Sequence, residues 1–154
     1  MTTNALRLVR SMGIRAEAIE YEVDESDLSA ASVAARLGMD PDRVFKTIAV
    51  RGPKAGPFLC VVPGSAEVDL KKAAKAAGDK SAEPLPLREL EPLTGYVRGG
   101  CSPVGTRKPL PVFIDETAAL WDTISVSAGA RGLQMALAPD DLARASGGSF
   151  ADLT

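Results

Sequence analysis

Lys46 interrupts an otherwise apolar run, Val44-Phe45-Lys46-Thr47-Ile48-Ala49-Val50. Such a run reads as a strand buried on both faces. A lone ammonium inside it needs a partner or an open cavity, because burying it unpaired costs several kcal/mol. There it can bind a phosphate, polarise a carbonyl or, with a lowered pKa, act as a base. The residue types equally allow a strand-end lysine whose stem is covered and whose head reaches water. A second group is the loop Gly95-Tyr96-Val97-Arg98-Gly99-Gly100-Cys101-Ser102-Pro103-Val104-Gly105. Its glycines let backbone N–H groups approach a ligand, although an ordinary glycine-rich turn fits the same residues. It lacks the spacing, lysine and following helix of a Walker or dinucleotide motif. Within it, Cys101 is a nucleophile only if Lys, Arg or a backbone dipole lowers its pKa; otherwise it is a neutral buried thiol. Third, Ser127-Ala128-Gly129-Ala130-Arg131-Gly132 ends a strand in a small-residue turn with an arginine. That combination holds a carboxylate or phosphate, or is a plain turn with a solvated arginine. Asp115 and Glu116 are adjacent acids after a strand and point opposite ways, which argues against a paired-carboxylate mechanism.

Composition removes whole classes of chemistry. The chain of 154 residues has no histidine, so Ser-His-Asp and Cys-His nucleophiles, His-ligated zinc and His acid–base catalysis are excluded. Two cysteines, Cys60 and Cys101, make neither a disulfide framework nor a four-thiolate metal site, and they suit a reducing cytosol. A net charge of −2 leaves no large basic face to grip nucleic acid unaided. Small basic groups do occur, at Arg43, Lys46, Arg51 and Lys54, at Lys71, Lys72 and Lys75, and at Arg107 and Lys108. Each reads as a solvated face, and together they offer a few phosphate contacts. No apolar run reaches the roughly 18 residues of a membrane span, and residues 1–10 do not read as a signal peptide. The expectation is a cytoplasmic protein with no membrane, metal or cofactor.

The elements that must position these residues follow from pattern and punctuation. Helices are expected at Asn4–Met12 with Gly13 as stop, at Ala30–Leu37 between Ser29 and Gly38, and at Leu70–Ala77 between Asp69 and Gly78. A last helix runs from Asp140 or Asp141 to about Ala145, while three prolines allow at most a short helix in 84–93. Ala16–Val23 alternates as a half-buried strand. Val44–Val50 and Phe58–Val62 flank a Gly/Pro cluster and read as a hairpin with a long loop. Short strands are expected at Tyr96-Val97, Val112–Ile114, Thr123–Ser127 and Leu133–Leu137, and residues 147–154 as a loose tail. Strands outnumber helices without regular βαβ alternation, so the fold class is α+β. The expected architecture is a single domain over 1–154 with a mixed, curled, barrel-like sheet flanked by helices.

Four segments in order resemble the YbaK/EbsC family, freestanding relatives of the editing domain inserted in bacterial prolyl-tRNA synthetases. They are Leu37–Thr47 (LGMDPDRVFKT), Val68–Lys72 (VDLKK), Gly95–Gly105 (GYVRGGCSPVG) and Val126–Leu133 (VSAGARGL). The resemblance covers nearly the full length. It implies a barrel-like sheet and an aminoacyl-tRNA deacylase that clears Cys-tRNA(Pro), mischarged because cysteine fits a proline pocket that size alone discriminates by only ~1–3 kcal/mol. It also implies a mechanism in which the substrate's own thiol attacks its ester and leaves as a thiolactone. Such a mechanism asks the protein only for near-attack geometry and oxyanion stabilisation, which accords with the missing histidine. By position, Lys46 looks like the family's key lysine, serving the terminal phosphate or the carbonyl, and Gly100 like the N–H donor to the oxyanion. Tyr21 (in the first strand), Thr47, Gly99, Cys101, Ser102, Ser127 and Arg131 look like the residues lining the substrate. Gln134 stands where YbaK itself carries an acid, which leaves open a preference for Ala-tRNA(Pro), with water as the nucleophile. With little basic surface, tRNA specificity is expected to come from prolyl-tRNA synthetase in a ternary complex. Without turnover, the same pocket would suit a module that binds a free amino acid or nucleotide.

Overall fold

Short apolar stripes closed by capping groups define the helices. In the computed structural model, which describes residues 2–154, α1 spans Asn4–Ser11 and the Thr3 hydroxyl accepts the Leu6 N–H at 3.2 Å. α2 (Ala30–Leu37) begins on Ser29, whose Oγ accepts the Ser32 N–H, and ends at Gly38 in the left-handed region. α3 (Leu70–Ala76) is capped by Asp69, which accepts from Lys71 and Lys72. The caps at Ser29, Gly38 and Asp69 are the ones the sequence indicates, and Thr3 is an additional one. α4 (Leu87–Thr94) is a short helix that carries Pro92. α5 (Pro139–Ser146) starts on its proline, ahead of the expected aspartates, because a fixed φ and a missing N–H suit a first turn.

Two sheets carry the strands. β1 (Glu17–Glu20) pairs antiparallel with β7 (Leu133–Leu137), which pairs antiparallel with β6 (Ile124–Ala130). The second sheet runs β4 (Glu83–Pro84), β2 (Phe45–Gly52), β3 (Gly56–Pro63), β5 (Val112–Asp115) and β8 (Ser149–Ala151), its last two junctions parallel. The hairpin β2–β3 forms as expected, but its strands run on into the Gly/Pro cluster until Gly52 lies opposite Gly56, so only 53–55 remain as the loop and the expected long loop is corrected to a tight one. Its loop is held by the Asp79 carboxylate, which accepts the N–H groups of Lys54 at 2.8 Å and Ala55 at 2.7 Å. A Cβ on Gly52 would stand 2.4 Å from that carboxylate, so glycine is required there.

The expected single curled, barrel-like sheet is therefore corrected to two sheets that do not close into a barrel. They meet through an isolated parallel bridge between Val44 and Ser125, reinforced by the Ser125 N–H on the Arg43 carbonyl at 3.1 Å. Both sheets pack on one apolar core with α1, which includes Leu6, Phe45, Leu59, Ile114, Val126 and Met135. The opposite face of β2 and β3 forms a second core with α3, built on Val50, Phe58, Cys60 and Val62.

Three further expectations change. Tyr96-Val97 is not a strand: it follows the left-handed Gly95 that ends α4, and no ladder partner meets it. Residues 16–23 form a shorter strand, β1, after which the chain leaves the sheet. The tail is docked rather than loose. β8 pairs with β5, Leu153 is fully buried in the second core, and its N–H meets a buried Asp115 carboxylate at 2.9 Å. A three-residue strand beside one apolar anchor gives too little periodicity to read in advance. Leu153→Ala is expected to lower the unfolding free energy by about 2–5 kcal/mol in chemical denaturation. An unchanged midpoint would show that the tail contributes nothing.

Candidate functional site

The junction of the two sheets sets the geometry around Lys46. Paired residues of parallel strands share a side, and side chains two apart stay on it. The bridge Val44–Ser125 thus places Lys46 on the same side as Ser125 and Ser127. Gln134, opposite Ser127 in β7, joins them and accepts the Ser125 hydroxyl at 2.9 Å. The result is a polar strip of Ser125, Ser127 and Gln134 beside one cation. Val126 and Met135, which alternate with these residues, go into the first core.

Lys46 itself lies on a strand that is only half buried, not buried on both faces as the apolar run suggests. Its Nζ pairs with Glu67 Oε1 at 3.2 Å; its side chain is 21% exposed and that of Glu67 92%. The ammonium is thus held by an arm that solvent already surrounds and that a substrate group can displace. Thr47 points to the opposite side of β2, toward the first core. Its Oγ1 is the one buried side-chain N or O atom among the described residues that lacks a hydrogen bond. Thr47 and Lys46 therefore face opposite sides of β2, and the structure does not bring their side chains together.

The loop 95–105 closes over the end of the strip. Tyr96 is its anchor: the ring is buried and the hydroxyl donates to the Val104 carbonyl at 2.6 Å. Burial pushes that hydroxyl up to about 12. A Cβ on Gly129, at φ 100°, would meet the Tyr96 ring at 2.9 Å, so the bulge between Ser127 and Ala130 needs its glycine. Gly100 lies flat on the Ala130–Arg131 peptide, where a Cβ would come within 2.9 Å of the Arg131 nitrogen. Arg131 fastens the assembly: Nε donates to the Arg98 carbonyl at 2.8 Å and Nη1 to Glu25 Oε2 at 2.9 Å. Gly99 approaches Leu28 and the Arg131 side chain. Tyr21 lies just past β1, its N–H on the Gly132 carbonyl at 3.0 Å, and packs toward Val33 and Val44. Between Tyr21, Leu28, Val33 and Gly99 remains a recess with room for about one water.

The structure thus brings Tyr21, Gly99, Gly100, Ser127 and Arg131 to one end of the strip, with Lys46 on the same side. Two of these residues are already engaged within the fold. The Gly100 N–H already donates to the Val97 carbonyl at 2.9 Å, so it is not a free oxyanion donor; glycine is required there for close backbone packing. The N–H groups of the next two residues, Cys101 and Ser102, have no acceptor among the described residues and are the open donors of the loop. Arg131 is bonded to Arg98 and Glu25, which makes it a clasp for the loop. The Ser102 hydroxyl is fully buried and accepts the Val104 N–H. Burial pushes the Cys101 thiol up to about 11, with the Thr94 hydroxyl pulling the other way, so Cys101 is a neutral thiol. Ser125 and Gln134 complete the strip; Gln134 stands out in sequence as the amide in place of an expected acid, and Ser125 carries no signal of its own. Among the described residues, no three His, Cys, Asp or Glu side chains cluster as a metal ion would need. No helix among the described residues is long and apolar enough to cross a membrane.

A model of the aminoacyl-tRNA editing domain matches residues 24–145. The chain belongs to the aminoacyl-tRNA editing domain family. This span runs from the segment clasped by Arg131 through α2, Lys46, the glycine loop and the polar strip. The chain is 46% identical over 152 residues, 99% of its length and 93% of the relative's, to EbsC of Enterococcus faecalis, named provisionally a Cys-tRNA(Pro)/Cys-tRNA(Cys) deacylase. It is 28% identical over 128 residues to a proline–tRNA ligase of Burkholderia orbicola, covering 80% of this chain and 22% of that enzyme. A crystal structure described as a provisional trans-editing enzyme for prolyl-tRNA synthetase superposes with a TM-score of 0.81 at 25% identity, covering 100% of this chain and 98% of that one. The family resemblance read from the four sequence segments is borne out, and with it the class of aminoacyl-tRNA deacylase.

Proposed function

We propose that this chain is a cytoplasmic trans-editing deacylase that clears Cys-tRNA(Pro) by thiol attack within the substrate. The observation that carries this reading is the chemistry of the strip. It offers one ammonium, hydroxyls, an amide and open backbone N–H groups, but no histidine, and its nearest thiol is neutral. A site without its own nucleophile or neutral-pH base suits a substrate that brings a nucleophile. The cysteine sulfur bonds to its own ester carbonyl carbon, the bond from that carbon to the terminal ribose oxygen breaks, and the proton lost by the thiol ends on that oxygen. The products are a thiolactone and free tRNA, and no water is consumed.

In this reading Lys46 leaves Glu67 to hold the terminal phosphate or the ester carbonyl. The N–H groups of Cys101 and Ser102 face the developing oxyanion, where preorganised donors contribute most. Tyr21, Gly99, Ser127 and Gln134 shape the space for a small side chain, and Gly100 and Arg131 keep the loop over it. With a net charge of −2, the chain takes its tRNA from prolyl-tRNA synthetase in a ternary complex. Two relatives support the pairing by name, one a proline–tRNA ligase and one described as acting in trans for prolyl-tRNA synthetase.

The test is amino-acid release from Cys-, Ala- and Ser-tRNA(Pro), with and without the synthetase. Fast loss of cysteine alone is expected, with serine at least about 100-fold slower, because a neutral hydroxyl is a far poorer nucleophile than a thiol. Preference for alanine would replace thiol attack by water attack. No turnover of any substrate would make the chain a binding module.

A further inference from the structure

The polar strip holds one pair of donors that the chain itself leaves open. Ser125 is fully buried, and its hydroxyl donates to Gln134 Oε1 at 2.9 Å. That bond fixes the direction of the amide, with its acceptor turned to Ser125 and its two Nε2–H groups turned away. Nε2 meets no acceptor among the described residues. Nor is it sealed off, because Thr47 Oγ1 is the one buried side-chain N or O atom there without a partner. Gln134 is only 5% exposed, so the opening onto these donors is narrow. A donor cut off from water and left unpaired is costly, so the opening points to a group that completes it when substrate is bound. Register sets the donors in the editing site: Gln134 lies between Ser127 of β6 and Ile19 of β1, on the side that carries Lys46.

The charges around this side are largely matched. Lys46 is met by Glu67, Arg131 by Glu25 and Arg36 of α2 by Asp24, while Glu17, opposite Ala136 in β1, is exposed. Local donors therefore decide which charge the strip tolerates, and unpaired N–H groups favour an atom that turns negative. In thiol attack that atom is the cysteine sulfur, which reacts as thiolate. A hydrogen bond to the charged form favours that form, and charge-assisted bonds are the stronger ones. We infer that Gln134 selects cysteine: its amide N–H groups donate to the substrate sulfur and stabilise the thiolate, with Ser125 as the positioning residue that holds the amide in this direction. The inference rests on the editing reading above and deepens it by assigning the contact to the amino acid's own side chain. The bonds made and broken stay as given there; the amide only eases charge on sulfur. Alanine would set a methyl against these donors, and a site built on donors rejects an analogue that lacks the acceptor.

Single-turnover release from Cys-tRNA(Pro) across pH 5–9 is the test. Gln134→Met, of like length but without donors, is expected to slow release about 3- to 10-fold at pH 6 and to move the inflection of the profile up by about one pH unit, as loss of one charge-assisted bond to the thiolate requires. An uncleavable, amide-linked alanyl analogue of the terminal adenosine should compete at least as well in this variant, so the preference for cysteine narrows. Ser125→Ala lets the amide turn and should give part of the same shift; Ser125→Thr, which keeps the hydroxyl, should restore the profile. Gln134→Glu still accepts from Ser125 but sets a carboxylate beside the sulfur, so at pH 8 it should be slower than Gln134→Met. Should Gln134→Met fail to fold, the Ser125 pair decides. Wild-type rates and inflection in Gln134→Met and Ser125→Ala overturn the inference, and cysteine release by the wild type then leaves the editing reading standing. A wild-type profile in Gln134→Glu makes Gln134 a mere brace for Ser125 and overturns the inference as well. No release by the wild type overturns the editing reading first.

Discussion

Lys46→Ala is expected to reduce cysteine release from Cys-tRNA(Pro) by at least about 100-fold while leaving the unfolding midpoint near that of the wild type. The two halves of this prediction have separate physical grounds. A cation placed at a phosphate or a developing oxyanion, in a site that excludes water, is worth about two to three powers of ten in rate. By contrast, the resting pair with Glu67 is a partly solvated contact at 3.2 Å with a partner that is 92% exposed, and such pairs contribute about 0–1 kcal/mol to stability. The Lys46 side chain is 21% exposed and belongs to none of the apolar cores, so its truncation removes no core residue. Lys46→Arg separates charge from shape: a planar fork cannot replace a compact ammonium, so only partial activity is expected. Glu67→Gln removes the resting partner and should lower KM, because the ammonium no longer has to be released. Single-turnover deacylation with each variant, alongside thermal denaturation, reads both halves. Activity within threefold of wild type in Lys46→Ala would sink the assignment of this lysine.

Much of the site was legible because local chemistry dictated it. Ser29 and Asp69 cap the helices they were expected to cap, and Gly38 closes α2 in the left-handed conformation that glycine alone takes without strain. The β2–β3 hairpin, and so the level of Lys46, followed from two apolar runs around a Gly/Pro cluster. What stayed hidden depends on contacts between distant segments. A parallel bridge from Val44 to Ser125 spans 81 positions and has no local signature, yet it decides that Lys46 shares a side with Ser127 while Thr47 does not. The sheet fails to close for the same kind of reason: pairing across sheets is a matter of tertiary register, and short strands do not announce their partners. Gly100 stands out in sequence as a backbone donor, whereas the fold shows a position packed too closely for a Cβ and an N–H that turns to Val97, both matters of backbone direction. Arg131 reads in sequence as an anion site or a plain turn arginine, and in the fold its Nε and Nη1 are engaged by Arg98 and Glu25.

If the substrate supplies the nucleophile, the enzyme-dependent rate should climb about tenfold per pH unit between pH 5 and 7, with no falling limb. The thiolate is the attacking form, and below the thiol's pKa of ~8.5 its fraction rises tenfold per unit. Nothing identified in the site bends that line. The chain has no histidine, the side chain whose unperturbed pKa lies in this window. Burial pushes Cys101 up to about 11, Cys60 up to about 12 and Tyr96 up to about 12, so all three stay protonated throughout. Asp24 and Asp27, in the segment that Arg131 clasps through Glu25, are held below the usual carboxylate range by hydrogen bonds from Ser26 and Ser29 and stay ionised. The sign is therefore fixed by the substrate: the rate is lost as pH falls, because the substrate thiol is protonated and the protein hardly changes. Cys101→Ser should keep both the slope and the amplitude, which separates a substrate thiol from an enzyme thiol. A bell-shaped or flat profile, or loss of the rate in Cys101→Ser, would place the reacting group on the protein and overturn thiol attack by the substrate.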